Sequence, residues 1–266
     1  MRIEGKILIL AVDIGNTNME FGIFTNGNLA YNFRLVTDRN VTSDEIGLMM
    51  LQFFEFHKIS TDSIKDVIIA SVVPQVMFSF NNAMKKYIKK TPLIVGENCA
   101  VPIKNNYSIK KEVGMDRLVN AFSAYNAYKC PLIVVDFGTA TTFDVVSKDG
   151  SYEGGCIFPG IKISMEALTR YAAKLPRVEI SSPKTLIGKD TVTSMQAGAV
   201  CGFVGATSYT IEQLKKEIGT SAYVVATGGL SALIAKHTKS IDVVDKKLSL
   251  QGLYDICLIT RGYDIV

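Results

Sequence analysis

The chain of 266 residues has no tryptophan, only two histidines, and five cysteines that never fall into a C-x-x-C pair. Each shortage excludes something. Without tryptophan, and without aromatics interleaved among its basic residues, the sequence lacks the stacking platform of an RNA or single-stranded DNA binder. An odd number of scattered cysteines (Cys99, Cys130, Cys156, Cys201, Cys257) fits reduced thiols in a cytoplasmic protein better than a disulfide frame or a zinc site. Cys156, between glycines and a strand, reads as a buried thiol. The apolar run Ile7 to Val12 is too short to cross a bilayer and is ended by Asp13. With no small-residue cleavage site behind it, it is a core strand rather than a signal peptide. No G-x-x-x-x-G-K-[ST] occurs, which disfavours a P-loop fold.

What remains is ordinary for a globular protein: 48% hydrophobic residues, 20% charged, and a net charge of +4. Paired lysines such as Lys85-Lys86 and Lys246-Lys247 mark solvated faces rather than a nucleic-acid stripe. The length suggests two lobes.

The informative feature is a repeat. Asp13 and Asp136 stand 123 residues apart, each at the end of an apolar strand and each followed by x-Gly and hydroxyl or amide side chains. Strands over Ile7–Val12, Glu20–Phe24 and Leu29–Leu35, with an Asn26-Gly27 hairpin turn, are matched by Leu132–Val135, Thr142–Val146 and Tyr152–Phe158 with Asp149-Gly150. A Thr42-x-x-Glu45 capping box opens a helix running to about His57. A strand over Val67–Val73 leads at Pro74 into a helix to about Lys90, then a strand near Leu93–Val95. Later come a helix over Thr193–Ile218 dense in Gly and Ala, a strand Tyr223–Ala226 and a helix Leu230–Lys239. Interior glycines cost a helix up to about 1 kcal/mol each, so that small-residue run predicts close helix–helix contact. The pattern is α/β, divided into residues 1–121 and 122–266.

A carboxylate at a strand end followed by Gly brings main-chain N–H groups close to a ligand. With Asn16 and Thr17 in one copy and Thr139, Thr141 and Thr142 in the other, such turns suit phosphate oxygens and a hydrated metal ion. Facing each other, two copies would hold a polyphosphate. Gly114-Met115-Asp116-Arg117 precedes an apolar helix, and on its own Asp116 is equally a helix-start acid favoured by the dipole.

These segments, "DIGNTNMEFGIF", "VGMDR", "DFGTATTFDVV", "GGCIFPGI", "IGKDTVTSMQAG" and "TGGL", resemble the type III pantothenate kinases nearly end to end. That family belongs to the sugar-kinase, actin and heat-shock ATPase superfamily, with two duplicated ribonuclease H-like lobes in an actin-like ATPase fold. The resemblance implies ATP-dependent phosphorylation of pantothenate, on the way to coenzyme A, by a cytoplasmic homodimer. It implies Asp116 as catalytic base, and Asp13 orienting magnesium largely through water. Gly15, Asn16, Thr17 and Thr139 would contact ATP phosphates, and Asp136 a monovalent cation, potassium or ammonium. Tyr107, Gly114, Met115, Asp116 and Arg117 would line the pantothenate site, with Arg117 pairing either a substrate carboxylate or Asp116. Thr191 would reach pantothenate across the dimer interface, near the small-residue helix. Both histidines sit on expected helices among polar neighbours, which also directs the base assignment towards an acid.

The sequence departs from the family at Ser108-Ile109-Lys110, where Asp-Asn-Pro is common, and at Met115, commonly alanine. Losing the proline loosens that loop. Two rival readings share the scaffold: a silent transcription-regulator relative, and a phosphohydrolase using Glu153.

Overall fold

The computed structural model describes residues 8–128 and 131–263. Ile7 of the expected first strand, and Cys130, lie outside the described residues. Two compact units divide the chain. One takes the chain up to Pro102, Lys111–Ser123 and the chain from Ser249; the other takes Ile103–Lys110 and Ala124–Leu248.

In the first unit, strands β1 (Leu8–Ile14), β2 (Asn18–Thr25), β3 (Asn28–Val36), β4 (Ile64–Ser71) and β5 (Leu93–Ile94) form one sheet in the order β3-β2-β1-β4-β5. β1 and β4 pair in parallel and are buried almost throughout, because both their faces are covered and their sequences are unbroken apolar runs. β3 alternates exposed and half-buried residues, as an edge strand should. The β2–β3 turn needs φ > 0 at both central residues, and Asn26 (φ 48) and Gly27 (φ 75) supply it. Helix α1 (Ser43–Phe56) opens with both halves of the Thr42/Glu45 capping box and buries Ile46, Met50 and Phe54 at four-residue spacing. Helix α2 (Pro74–Ala83) starts on its proline and runs into a π-helical turn at Met84–Ile88, which Lys89 ends at φ 57.

The second unit repeats the plan with β6 (Leu132–Phe137), β7 (Ala140–Val146), β8 (Tyr152–Pro159), β9 (Tyr223–Thr227) and β10 (Val243–Val244), in the order β10-β9-β6-β7-β8. β1 therefore corresponds to β6 and β4 to β9, with the parallel and antiparallel partners conserved between the copies. This is the duplication expected from the paired Asp-x-Gly turns.

Helix α3 (Met115–Tyr128) carries the Gly114-Met115-Asp116-Arg117 segment at its start. The second unit also contains α4 (Ile161–Tyr171), α5 (Thr191–Ile218) and α6 (Ser231–Ala235), the last shorter than the expected Leu230–Lys239. α4, β10 and the final helix α7 (Leu248–Arg261) were not anticipated. α7 is fastened within the first unit: the Tyr254 ring stacks on Phe24 at 4.5 Å, its hydroxyl accepts the Gly27 N–H at 3.0 Å, and Arg261 pairs with Asp66 at 2.8 Å.

Some expectations need correcting. Within the small-residue run of α5, Ala197 and Ala199 are buried, whereas a Cβ at Gly198, Gly202 or Gly205 would meet nothing within 4 Å among the described residues. Cys156 is exposed, because it lies on the edge strand β8, whose residues Gly155–Pro159 are exposed. His57 caps α1 among the rings of Tyr31, Phe53 and Phe56, not polar groups. His237 lies in the turn after α6, where its ring meets Ser182 at 2.9 Å.

Candidate active site

In the first unit, Asp13 is the penultimate residue of β1 and is half-buried; Asn16 and Thr17 are exposed in the turn to β2. The Gly15 N–H closes that turn on Asn18 O at 3.0 Å, and a Cβ on Gly15 would press to 3.3 Å from the same oxygen. The turn thus offers exposed backbone and side-chain donors next to a carboxylate that is anchored in the sheet.

The Gly114-Met115-Asp116-Arg117 segment reaches the same end of the sheet. Val72, just past β4, donates its N–H to Ile14 O at 3.0 Å, and its side chain lies 4.0 Å from the Cβ position of Gly114. Met115 packs on Gly96, just past β5. The first turn of α3 is therefore seated at the C-terminal ends of parallel strands, where open α/β sheets bind ligands. The glycine has a local reason: the Asp116 carboxylate occupies the space a Gly114 Cβ would need. That carboxylate accepts the Arg117 N–H at 2.8 Å. Desolvation by the surrounding protein pushes the Asp116 pKa above the usual carboxylate range, against the opposing effect of the Arg117 N–H and positive charge. An acid so tuned, half-buried at the C-terminal end of the sheet, is suited to take a proton from a bound alcohol.

In the second unit, the turn after Asp136 is one residue shorter. Phe137 pairs with Thr141, where in the first copy Ile14 pairs with Met19, and Gly138 N–H bonds Ala140 O at 3.1 Å. Gly138 and Thr139 are exposed and Asp136 is half-buried. Two glycines outside the Asp-x-Gly motifs hold this turn. Gly160, before α4, donates its N–H to Thr139 O at 3.1 Å, and any Cβ there would overlap Thr139 O. Gly228, past β9, has φ 87 and packs directly on Asp136 and Phe137. The sequence signal was the glycine following each strand; what it could not show was which strand end each glycine would meet.

Tyr107 lies elsewhere on that unit. Its ring sits 3.3 Å from the Cβ position of Gly154, at the opposite end of β8 from the residues that pair with the Asp136 turn. The five-residue separation from Pro159 is roughly 17 Å along a strand. Tyr152, fully buried, holds this region: its N–H bonds Lys104 O at 2.8 Å, its carbonyl accepts Asn106 N–H at 2.9 Å, and its hydroxyl bonds Asp144 at 2.8 Å. Glu153, the acid a hydrolase would need, is occupied by Asn106 Nδ2 at 3.0 Å and the Ser147 hydroxyl at 2.8 Å, at that same remote end. Thr191 is exposed at the first turn of α5, whose cap is made by Asp190 and Thr193 instead. It borders a groove of about 550 Å³ between α4 and α5, lined by Met165, Leu168, Met195 and Phe203 among others.

The donor set fits cations that arrive with a nucleotide. No cluster of three or more His, Cys, Asp or Glu that could hold a metal unaided occurs among the described residues. Asp13 or Asp136 supplies one carboxylate beside exposed turn oxygens, which suits a hydrated ion sharing phosphate ligands. No helix of the described residues is long and apolar enough to cross a membrane.

Comparison with known proteins follows the same lines. Residues 9–213 match the family model described as type III pantothenate kinase. A type III pantothenate kinase from Bacillus cytotoxicus is 44% identical over 247 residues, covering 93% of this chain and 94% of that protein. Among solved structures, one described as a Baf family transcriptional activator from Campylobacter jejuni aligns over 95% of this chain and 99% of its own, with TM-score 0.57 and 20% identity. An inorganic polyphosphate/ATP-glucomannokinase from Arthrobacter aligns over 95% and 99%, with TM-score 0.51 and 12% identity. At such identities the structures attest the shared two-lobed α/β fold alone.

Proposed function

The chain belongs to the type III pantothenate kinase family and phosphorylates pantothenate with ATP in coenzyme A biosynthesis; from that premise we propose which of its residues carry the reaction. Asp116 is the general base. It takes the proton of the primary alcohol as that oxygen bonds to the γ-phosphorus, while the bond from γ-phosphorus to the β–γ bridging oxygen breaks and ADP leaves. The observation that carries this is the placement of the Asp116 carboxylate, with its raised pKa, at the end of the sheet where the Asp13 turn also lies. A carboxylate suffices, because phosphoryl transfer depends mainly on alignment and charge compensation.

Gly15, Asn16, Thr17 and Thr139 hold ATP phosphates. Asp13 would hold magnesium and Asp136 potassium or ammonium. Bound with ATP, these cations offset the charge of the phosphates. Tyr107, Gly114, Met115 and Arg117 shape the pantothenate site, and Arg117 also restrains the Asp116 pKa. The protein works as a cytoplasmic homodimer in which Thr191 reaches the partner's substrate. Support for the dimer is the uncovered apolar surface on β8, α4 and α5 (Ile157, Phe158, Leu168 and Tyr171 among it) together with the unpacked glycines of α5.

A coupled assay tests the site. ATP turnover should require pantothenate in the wild type and vanish in Asp116→Asn. Pantothenate-independent turnover would point to hydrolysis, and full activity in the variant would remove Asp116 as base.

A further inference from the structure

Thr37 follows β3 and lies 22 residues from the first phosphate turn in sequence, yet it is bonded to that turn twice. Its hydroxyl donates to Gly15 O at 2.7 Å, and its backbone N–H donates to Thr17 O at 3.0 Å. The second bond continues the β2–β3 ladder beyond the Asn18–Val36 pair. The first does not belong to the ladder at all.

A peptide unit is planar and trans, so its C=O and the following N–H point in opposite directions; the described chain has no cis bond. Gripping Gly15 O therefore fixes the direction of the Asn16 N–H. Gripping Thr17 O fixes the Asn18 N–H in the same way. Thr37 thus clamps the peptide planes on both sides of the exposed Asn16 and Thr17, and Gly15 N–H to Asn18 O closes the loop between them. A turn that presents donors to phosphate gains from having them aligned before the ligand arrives.

We infer that Thr37 is a positioning residue for the nucleotide, its hydroxyl presetting the Asn16 N–H toward a phosphate oxygen. This rests on the reading of Gly15–Thr17 as an ATP site. It assigns to nucleotide affinity a residue that touches no ligand and lies outside the Asp-x-Gly motif.

The test pairs Thr37→Val with Thr37→Ser. Valine keeps the β-branched shape and the backbone N–H but deletes the hydroxyl; serine restores the hydroxyl. Thr37 lies past the end of β3, and deleting a hydroxyl that only held the fold would leave Gly15 O short of a donor, so a purely structural role predicts a lower melting temperature in Thr37→Val and no selective change in ATP KM. The inference predicts an ATP KM raised about three- to tenfold, the worth of one such hydrogen bond, with the pantothenate KM at saturating ATP unchanged. Thr37→Ser should recover to within about twofold. Calorimetric titration with ATP and magnesium, without pantothenate, should show the same ordering of affinities. Equal ATP affinity in wild type and Thr37→Val, an equal rise in both KM values, or failure of serine to rescue would each overturn the inference. A wild type that binds no ATP would overturn the reading of the turn itself.

Discussion

Gly228 and Asp136 compete for the same small volume: a Cβ on Gly228 would stand 2.5 Å from Asp136 Oδ1 and 2.7 Å from the backbone N and C of Phe137. With φ 87, the position is also one that L side chains rarely adopt. Gly228→Ala should cost about 1–3 kcal/mol from backbone strain and displace the Asp136 carboxylate. Thermal melting should show the loss of stability. In the wild type, sodium-only buffer should give far lower activity than potassium or ammonium; in Gly228→Ala that contrast should shrink. Equal wild-type rates in sodium and potassium would take Asp136 out of the cation role.

Asp116→Asn should separate activity from stability. Burial raises the folded-state pKa above the unfolded one, so the linked stability is fully present at low pH and is lost as pH rises through the folded pKa. Ionising this carboxyl costs desolvation in the native state, a cost that asparagine lacks. The variant should melt no lower than the wild type, while turnover falls by at least about a hundredfold.

The pH profile follows from the same carboxylate. The base must be ionised, so kcat/KM should fall on acidification through a pKa above the ordinary aspartate value. Arg117 opposes the rise; Arg117→Met should therefore move this acid limb to higher pH. A limb that stays put would show that another group sets it.

Gly154→Ala probes the other end of β8. Gly154 has φ 115, and the Tyr107 ring lies 3.3 Å from where its Cβ would be. Displacing Tyr107 should raise the pantothenate KM about tenfold, roughly 1.4 kcal/mol, and leave the ATP KM alone. Parallel increases in both would mean general damage.

The α5 glycines distinguish a lone chain from a dimer. A Cβ at Gly198 meets no atom within 4 Å among the described residues, and Gly198→Leu improves helix propensity by up to about 1 kcal/mol. An isolated chain should be stabilised. If a partner covers this face, sedimentation should show the variant shifted toward monomer.

Much of this was legible because it is local. The repeated strand-Asp-x-Gly units, the Asn26-Gly27 turn and the Thr42/Glu45 box each declare themselves within a few residues, and all appear in the structure. The missed parts depend on distant partners. Gly252 interrupts the helical pattern of α7 because Val119 O and Ser123 press against it. α4 exposes Ile163, Leu168 and Tyr171, which blurs its apolar stripe. Thr37 carries no motif, since its meaning comes from β2–β3 pairing that returns it to Gly15. Cys156 was misjudged because strand composition does not reveal which edge of a sheet goes uncovered.

The anchoring of α7 to Phe24, Gly27 and Asp66 has a consequence for biosynthesis. The ribosome makes β6 through β10 before it makes the helix that finishes the earlier unit. A nascent chain can thus close its later sheet while the earlier one still waits for its final piece, reversing the usual N-to-C order of domain completion.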